Sequence, residues 1–195
     1  MVLAGGGSRR MGRDKALLPL SGETLPARAA RRLAAVCPEV VVADRGRGLL
    51  TGLPSLPDGP GRGPAAGLLG AAAAYPGRPL LVLACDLPEV PEPLLAEIVR
   101  AGEAGGDGVF PRWRGGVEPL CALYGPAALA ALAARVERGL LALHDLPEEP
   151  GLAVRYLEEG EIARFGDPAA IFLNLNTPGD WERYRAADPI SRRKS

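Results

Sequence analysis

Residues 80–88 read LLVLACDLP. Five apolar residues in succession, Leu80 to Ala84, are too few for a helix and enough for a strand buried on both faces. The run stops at Cys85, Asp86, Leu87 and Pro88, so a carboxylate lies just past the strand's C-terminal end. Working outward, Met1–Ala4 is a short apolar run that enters three glycines, and it reads as the first strand. Leu25–Val36 has apolar residues at helical spacing, with Arg28, Arg31 and Arg32 outward, and Val40–Ala43 is the next strand. Residues 44–64 are rich in Gly, Pro and Arg and read as a long loop, a feature usually tied to function in compact domains. Ala65–Ala74 and Pro93–Ala101 are further helices. Continuously apolar strands alternating with helices imply an α/β protein: a mostly parallel, Rossmann-like sheet with helices on both faces, in three layers.

Downstream, Gly108–Pro111, Val117–Tyr124 and Leu152–Tyr156 read as strands and Pro126–Val136 as a helix. Ile171–Leu173 reads as a strand stub and Pro178–Ala187 as the last helix. A chain of 195 residues suits one domain. The expectation is a single domain over 1–187 and a disordered tail over 188–195.

Hydrophobic residues make up 47% and charged residues 24%, a globular composition. Basic and acidic residues number 23 each, so no net field draws the chain to nucleic acid or an anionic membrane. An anionic ligand must therefore be held by a local site. No apolar run approaches the roughly 18–20 residues that span a bilayer, and the N-terminus lacks signal-peptide order; a cytoplasmic location is expected. Cys37, Cys85 and Cys121 are odd in number and lack CxxC spacing, which indicates neither a disulfide framework nor a zinc site. Cys85 and Cys121 read as small apolar packers. The single His144 excludes mechanisms that need two histidines and reads as structural.

Only Lys15 and Lys194 among the basic residues are lysine, and Asn174 and Asn176 are the only side-chain amides. Lys15 ends the segment LAGGGSRRMGRDK, residues 3–15. Consecutive glycines after a strand let backbone N–H groups approach a ligand, a nest suited to phosphate oxygens. Arg9, Arg10, Arg13 and Lys15 add positive charge. A Walker loop is excluded, because Arg13, Asp14 and Lys15 follow Gly12 where Lys and Ser or Thr would stand. The dinucleotide fingerprint fails as well, since Arg10 replaces its third glycine.

Four more segments follow in order: PDGPGRGPAAG (57–67), ACDLP (84–88), EPLCALY (118–124) and FLNLNTP (172–178). With LAGGGSRRMGRDK, the set resembles the nucleotidyltransferase fold, and within it the bacterial molybdenum cofactor guanylyltransferases. The likeness runs from residue 2 to about residue 185. It implies a single-domain enzyme that transfers GMP from GTP to the molybdenum–molybdopterin cofactor with loss of pyrophosphate. It also implies proteins that deliver the cofactor or receive the product. By this resemblance Leu3, Ala4, Gly5 and Gly6 contact the nucleotide through their backbone, and Lys15 neutralises the triphosphate. Asp58 contacts the guanosine, at the base edge or the ribose. Asp86 holds Mg²⁺ and, with Lys15, is catalytic. Arg10, Asn174 and Asn176 are candidate phosphate or cofactor contacts.

Locally, Asp86 could equally cap a helix and Asp58 open an Asx turn. Asn174 and Asn176 alternate on the strand stub and so face one side, although Thr177 is better placed than either to cap the final helix. The sequence departs from the family at Val42, Ala43 and Asp44, where an Asn-like residue is common, and at Glu118, where His or Gln is common. Related cytidylyltransferases show one glycine after the alanine and the guanylyl family shows two, so by this resemblance the AlaGlyGlyGly run at 4–7 favours GTP; a cytidylyltransferase or other nucleotidyltransferase, and a non-catalytic nucleotide or cofactor carrier, are the competing readings.

Overall fold

A computed structural model of the chain describes residues 1–5, 19–20 and 22–187. Gly6, Arg10 and Lys15, and the tail expected over 188–195, lie outside the described residues. The chain opens with β1 (Val2–Leu3), a short hairpin of β2 (Pro19–Leu20) and β3 (Glu23–Thr24), then α1 (Leu25–Ala34). Thr24 caps α1 by accepting the Ala27 amide at 3.3 Å, which leaves a proline in the first turn where its missing N–H costs nothing. β4 (Val42–Ala43), β5 (Ser55–Leu56), α2 (Gly63–Ala74), β6 (Leu80–Ala84) and α3 (Glu92–Glu103) complete the first half. The second half has β7 (Gly108–Trp113), β8 (Gly116–Val117), β9 (Cys121–Tyr124), α4 (Pro126–Glu137), β10 (Val154–Glu158), α5 (Glu159–Ile162), α6 (Pro168–Ile171) and α7 (Pro178–Ala187).

The sheet runs β10-β7-β9-β6-β1-β4-β5, with β8 added to β7. β1 pairs in parallel with both β4 and β6, and β4 with β5. β10 is parallel to β7, whereas β9 lies antiparallel between β6 and β7. The three-layer, mostly parallel α/β fold expected from LLVLA is therefore borne out. Alternate residues of β6 feed two cores. Leu81 and Leu83 pack with Leu33 of α1 and Leu94, Leu95 and Ile98 of α3. Leu80 and Val82 pack with Leu68 of α2 and Leu129 and Leu132 of α4. Cys121 is buried in the sheet and Cys85 packs against the core, as small apolar residues do.

Several local expectations are corrected. Residues 44–64 are not all loop, because they contain β5. The strand expected over Val117–Tyr124 is broken into β8 and β9 around Pro119, where Tyr124 Oη donates to the Pro119 carbonyl at 2.7 Å. The stub Ile171–Leu173 is absent. Asp167 caps a helical turn by accepting the Ala169 amide at 3.0 Å, and Pro168 starts α6, so Ile171 ends a helix. His144, outside these corrections, is exposed and lies 3.1 Å from Asp145.

Candidate active site

The chain moves from β1 outward through β4 to β5, then returns through α2 to β6 on the other side of β1. The carboxyl ends of β1 and β6 thus flank a topological switch point, the place where open α/β sheets bind ligands. Ala4 and Gly5 leave β1 there and Cys85 and Asp86 leave β6. The Cys85 amide donates to the Leu3 carbonyl at 3.2 Å and so locks the two ends together.

The Asp86 turn is held from three directions. From α1, Arg28 Nε donates to the Pro88 carbonyl at 3.1 Å, and the Arg32 guanidinium donates to the carbonyls of Pro88 and Val90. These arginines face the turn, not the solvent, which corrects their expected outward orientation for Arg28 and Arg32. Burial lowers the pKa of Arg32, chiefly by desolvation. From the C-terminal region, the Leu175 amide donates to the Asp86 carbonyl at 3.0 Å. Leu25, Leu175 and Trp181 form a small core against Cys85 and Tyr184, and the Tyr184 hydroxyl bonds Glu89, which also pairs with Arg28.

From the third side, residues 118–120 lead into β9 beside the end of β6, where the Ala84 amide donates to the Leu120 carbonyl at 2.8 Å. Glu118 accepts the Leu120 amide at 3.3 Å. Burial pushes the Glu118 carboxyl up and the nearby charge of Asp86 adds to this, against the Leu120 hydrogen bond. Two carboxylates whose charges oppose each other at a strand end fit a hard divalent cation, which Mg²⁺ satisfies with one or two carboxylates plus phosphate oxygens. No cluster of three or more His, Cys, Asp or Glu side chains forms a metal cage among the described residues.

Asn174 and Asn176 do not share a strand face. Asn174 is half-buried with Oδ1 enclosed and lacking a hydrogen-bond partner among the described residues, whereas Asn176 is exposed. The Asn176 amide donates to the Asn174 carbonyl at 3.2 Å, a turn that breaks the alternation. Their segment is pinned by Phe172, whose ring lies 5.7 Å from that of Trp113. Thr177 caps α7 by accepting the Asp180 amide at 3.1 Å, so neither Asn is needed for that role.

On the β4–β5 side, Asp44 is fully buried and its carboxylate is used inside the fold. It accepts the Arg47 and Leu49 amides at 3.2 and 2.8 Å and the Ser55 hydroxyl. Arg47 bridges the Asp44 and Ala4 carbonyls, both at 2.9 Å. Asp58 follows β5 and forms an ion pair with Arg45 at 3.2 Å. Its loop is seated by close backbone contact with α2. The Gly59 amide donates to the Ala66 carbonyl at 2.8 Å, and a Cβ on Gly70 would lie 2.1 Å from the Pro57 carbonyl oxygen.

Leu3, Ala4, Gly5, Asp58, Asp86 and Asn174 thus follow or border the carboxyl ends of neighbouring strands, whereas Gly6, Arg10 and Lys15 lie outside the described residues. Arg28, Arg32, Arg45, Asp44 and Trp113 are the participants that sequence reasoning missed. Arginine leaves no periodic signal, and its partners lie far away in the chain.

A doubly wound sheet with a glycine-ended first strand and a strand-end acid at its switch point defines a nucleotide-handling α/β protein. The chain belongs to the MobA-like NTP transferase domain family, whose model matches residues 1–149. It is 34% identical over 199 residues to a probable molybdenum cofactor guanylyltransferase of Pelotomaculum thermopropionicum, covering 98% of this chain and 94% of that protein. It is 38% identical over 192 residues to the molybdenum cofactor guanylyltransferase of Cereibacter sphaeroides, covering 94% and 93%. Among solved structures, the molybdopterin-guanine dinucleotide biosynthesis protein A of Archaeoglobus fulgidus superposes with a TM-score of 0.77 at 27% identity, over 95% of each chain.

Proposed function

We propose that this chain is a nucleotidyltransferase that moves GMP from GTP to the molybdenum–molybdopterin cofactor. The acceptor's terminal phosphate oxygen attacks the α-phosphorus of GTP and forms a new P–O bond. The bond from that phosphorus to the β-phosphate oxygen breaks, and pyrophosphate leaves with the electron pair. The products are the guanine dinucleotide form of the cofactor and pyrophosphate. No protein nucleophile is required, so catalysis consists of positioning and charge neutralisation.

The residue roles follow the motifs. The backbone at Leu3, Ala4, Gly5 and Gly6 receives the nucleotide, with Asp58 at its nucleoside end. Lys15 meets the triphosphate, and Arg10, Asn174 and Asn176 serve phosphate or cofactor contacts. Asp86 would hold Mg²⁺, which when bound neutralises phosphate charge as a Lewis acid. Residues 1–187 act as one catalytic domain, and proteins that deliver the cofactor or take up the product are its partners. The observation that supports this reading best is that Gly5 and Asp86 follow the carboxyl ends of neighbouring strands at the β1–β6 switch point, where the Cys85–Leu3 hydrogen bond joins the two ends. Among the described residues no helix is long and apolar enough to cross a membrane.

The test is pyrophosphate release from GTP and Mg²⁺ with and without the molybdenum–molybdopterin cofactor. Acceptor-dependent release with formation of the guanine dinucleotide is expected. Binding of GTP without any release would make the protein a carrier, and release from CTP in preference to GTP would make it a cytidylyltransferase.

A further inference from the structure

Arg45 and Arg114 are the only non-glycine residues with positive φ among those described, at 65° and 48°. Both lie beyond the carboxyl ends of sheet strands, Arg45 after β4 and Arg114 after β7. A left-handed arginine is costly and persists only where its surroundings over-determine it. At Arg45 they do. The buried Asp44 carboxylate fixes the residue before it, and the Gly46 amide donates to the Leu56 carbonyl at 3.0 Å, fixing the residue after it. The turn is built to aim one side chain. That side chain runs beside Gly5, where an added Cβ would lie 3.7 Å from both Arg45 Cγ and Nε. It ends on Asp58 Oδ2 at 3.2 Å.

Asp58 is held with equal care from the other side. The Gly59 amide is bonded to Ala66, and α2 carries a glycine at position 70 where any side chain would strike Pro57. Two braced backbones, joined to each other by the Gly46–Leu56 hydrogen bond, therefore present an arginine and an aspartate to each other beside Gly5.

We propose that Arg45 is a positioning residue that sets specificity through Asp58. Its guanidinium holds one carboxylate oxygen and directs the other oxygen to the hydrogen-bond donors of the nucleoside. The inference rests on the nucleotide site argued above and adds to it a residue that reads no part of the ligand directly. Arg45 acts at the nucleoside end, away from the reacting phosphorus.

The experiment is a calorimetric titration of GTP and GMP into the intact protein and its variants Arg45→Gly, Arg45→Lys, Asp58→Asn and Arg45→Gly/Asp58→Asn. Glycine suits φ near +65°, so Arg45→Gly unfolds at the same temperature as wild type or higher, yet it binds GTP about fivefold more weakly, near the upper limit for a partly exposed pair. GMP is weakened by the same factor, Arg45→Lys falls between, and the double variant is no weaker than the weaker single one. The turnover number at saturating GTP is unchanged in Arg45→Gly. Equal GTP affinity in Arg45→Gly and wild type overturns the role, as does a double variant whose losses multiply, or a loss confined to GTP. Wild-type protein that binds no guanine nucleotide overturns the functional reading itself, and the role of the pair with it.

Discussion

The amide of Leu175 donates to the carbonyl of Asp86 at 3.0 Å. This bond joins a segment near the C-terminus to the turn after β6. It ties the backbone of the strand-end acid to the segment that carries the only two side-chain amides of the chain. Beneath it, Leu175 is fully buried with Leu25 and Trp181.

Truncation in this small core therefore loosens the site as well as the fold. Leu175→Ala should cost about 2–5 kcal/mol of stability, read by urea unfolding. It should also raise the Mg²⁺ concentration needed for half-maximal turnover. An exposed neighbour gives the control: Leu173, 41% exposed, changed to Ala should leave stability within about 0.5 kcal/mol of wild type.

Asp86→Asn keeps the size of the side chain and the Leu175 bond, which involves only backbone. Turnover should fall by about 10²–10³-fold or more, with an unchanged circular dichroism spectrum and melting temperature. Lys15→Ala should behave in the same way. Wild-type-like turnover in either variant would remove that residue from the catalytic machinery.

Two glycines of α2 should respond differently to alanine. At Gly70 the new Cβ would meet the Pro57 carbonyl oxygen at 2.1 Å and the Gly59 amide nitrogen at 3.0 Å, both backbone. Helix and loop must separate, which should cost about 1–3 kcal/mol and raise KM for GTP by displacing Asp58. At Gly67 the nearest atom is the end of the Leu3 side chain at 3.2 Å. A rotamer can yield there, and Ala is the better helix former, so Gly67→Ala should retain near-wild-type stability and KM. Thermal unfolding and steady-state kinetics on both variants separate the two cases.

The cap of α7 should titrate. Asp180 accepts the Asn176 and Thr177 amides and pairs with Arg183. Hydrogen bonding to Thr177 is the largest influence and, with Arg183, brings its pKa down from 3.8 to about 2. A carboxylate whose folded-state pKa is depressed contributes stability above its unfolded value and loses it as pH falls through the folded value. α7 should thus remain docked at pH 5 and loosen between about pH 4 and pH 2. Trp181 fluorescence in a Trp113→Phe background reports this, and in Asp180→Asn the acid-side transition attributable to α7 should be absent.

Much of the fold could be read from LLVLACDLP and its neighbours, because burial of a central parallel strand demands unbroken apolar residues and a helix cap needs only residues three apart. The layer order, Asp86 at a strand end and Thr177 as the cap of α7 are of this kind. The motifs from residue 3 to residue 178 likewise carried the family within the sequence alone. Tertiary structure alone decided the pairing of Arg45 with Asp58, the grip of Arg28 and Arg32 on the Asp86 turn, and the bond between Leu175 and Asp86. It also replaced the expected strand at 171–173 with the end of a helix, so that Asn174 and Asn176 part company. The physical reason is reach: a guanidinium or a lone backbone amide finds its partner across strands whose spatial order no local periodicity encodes.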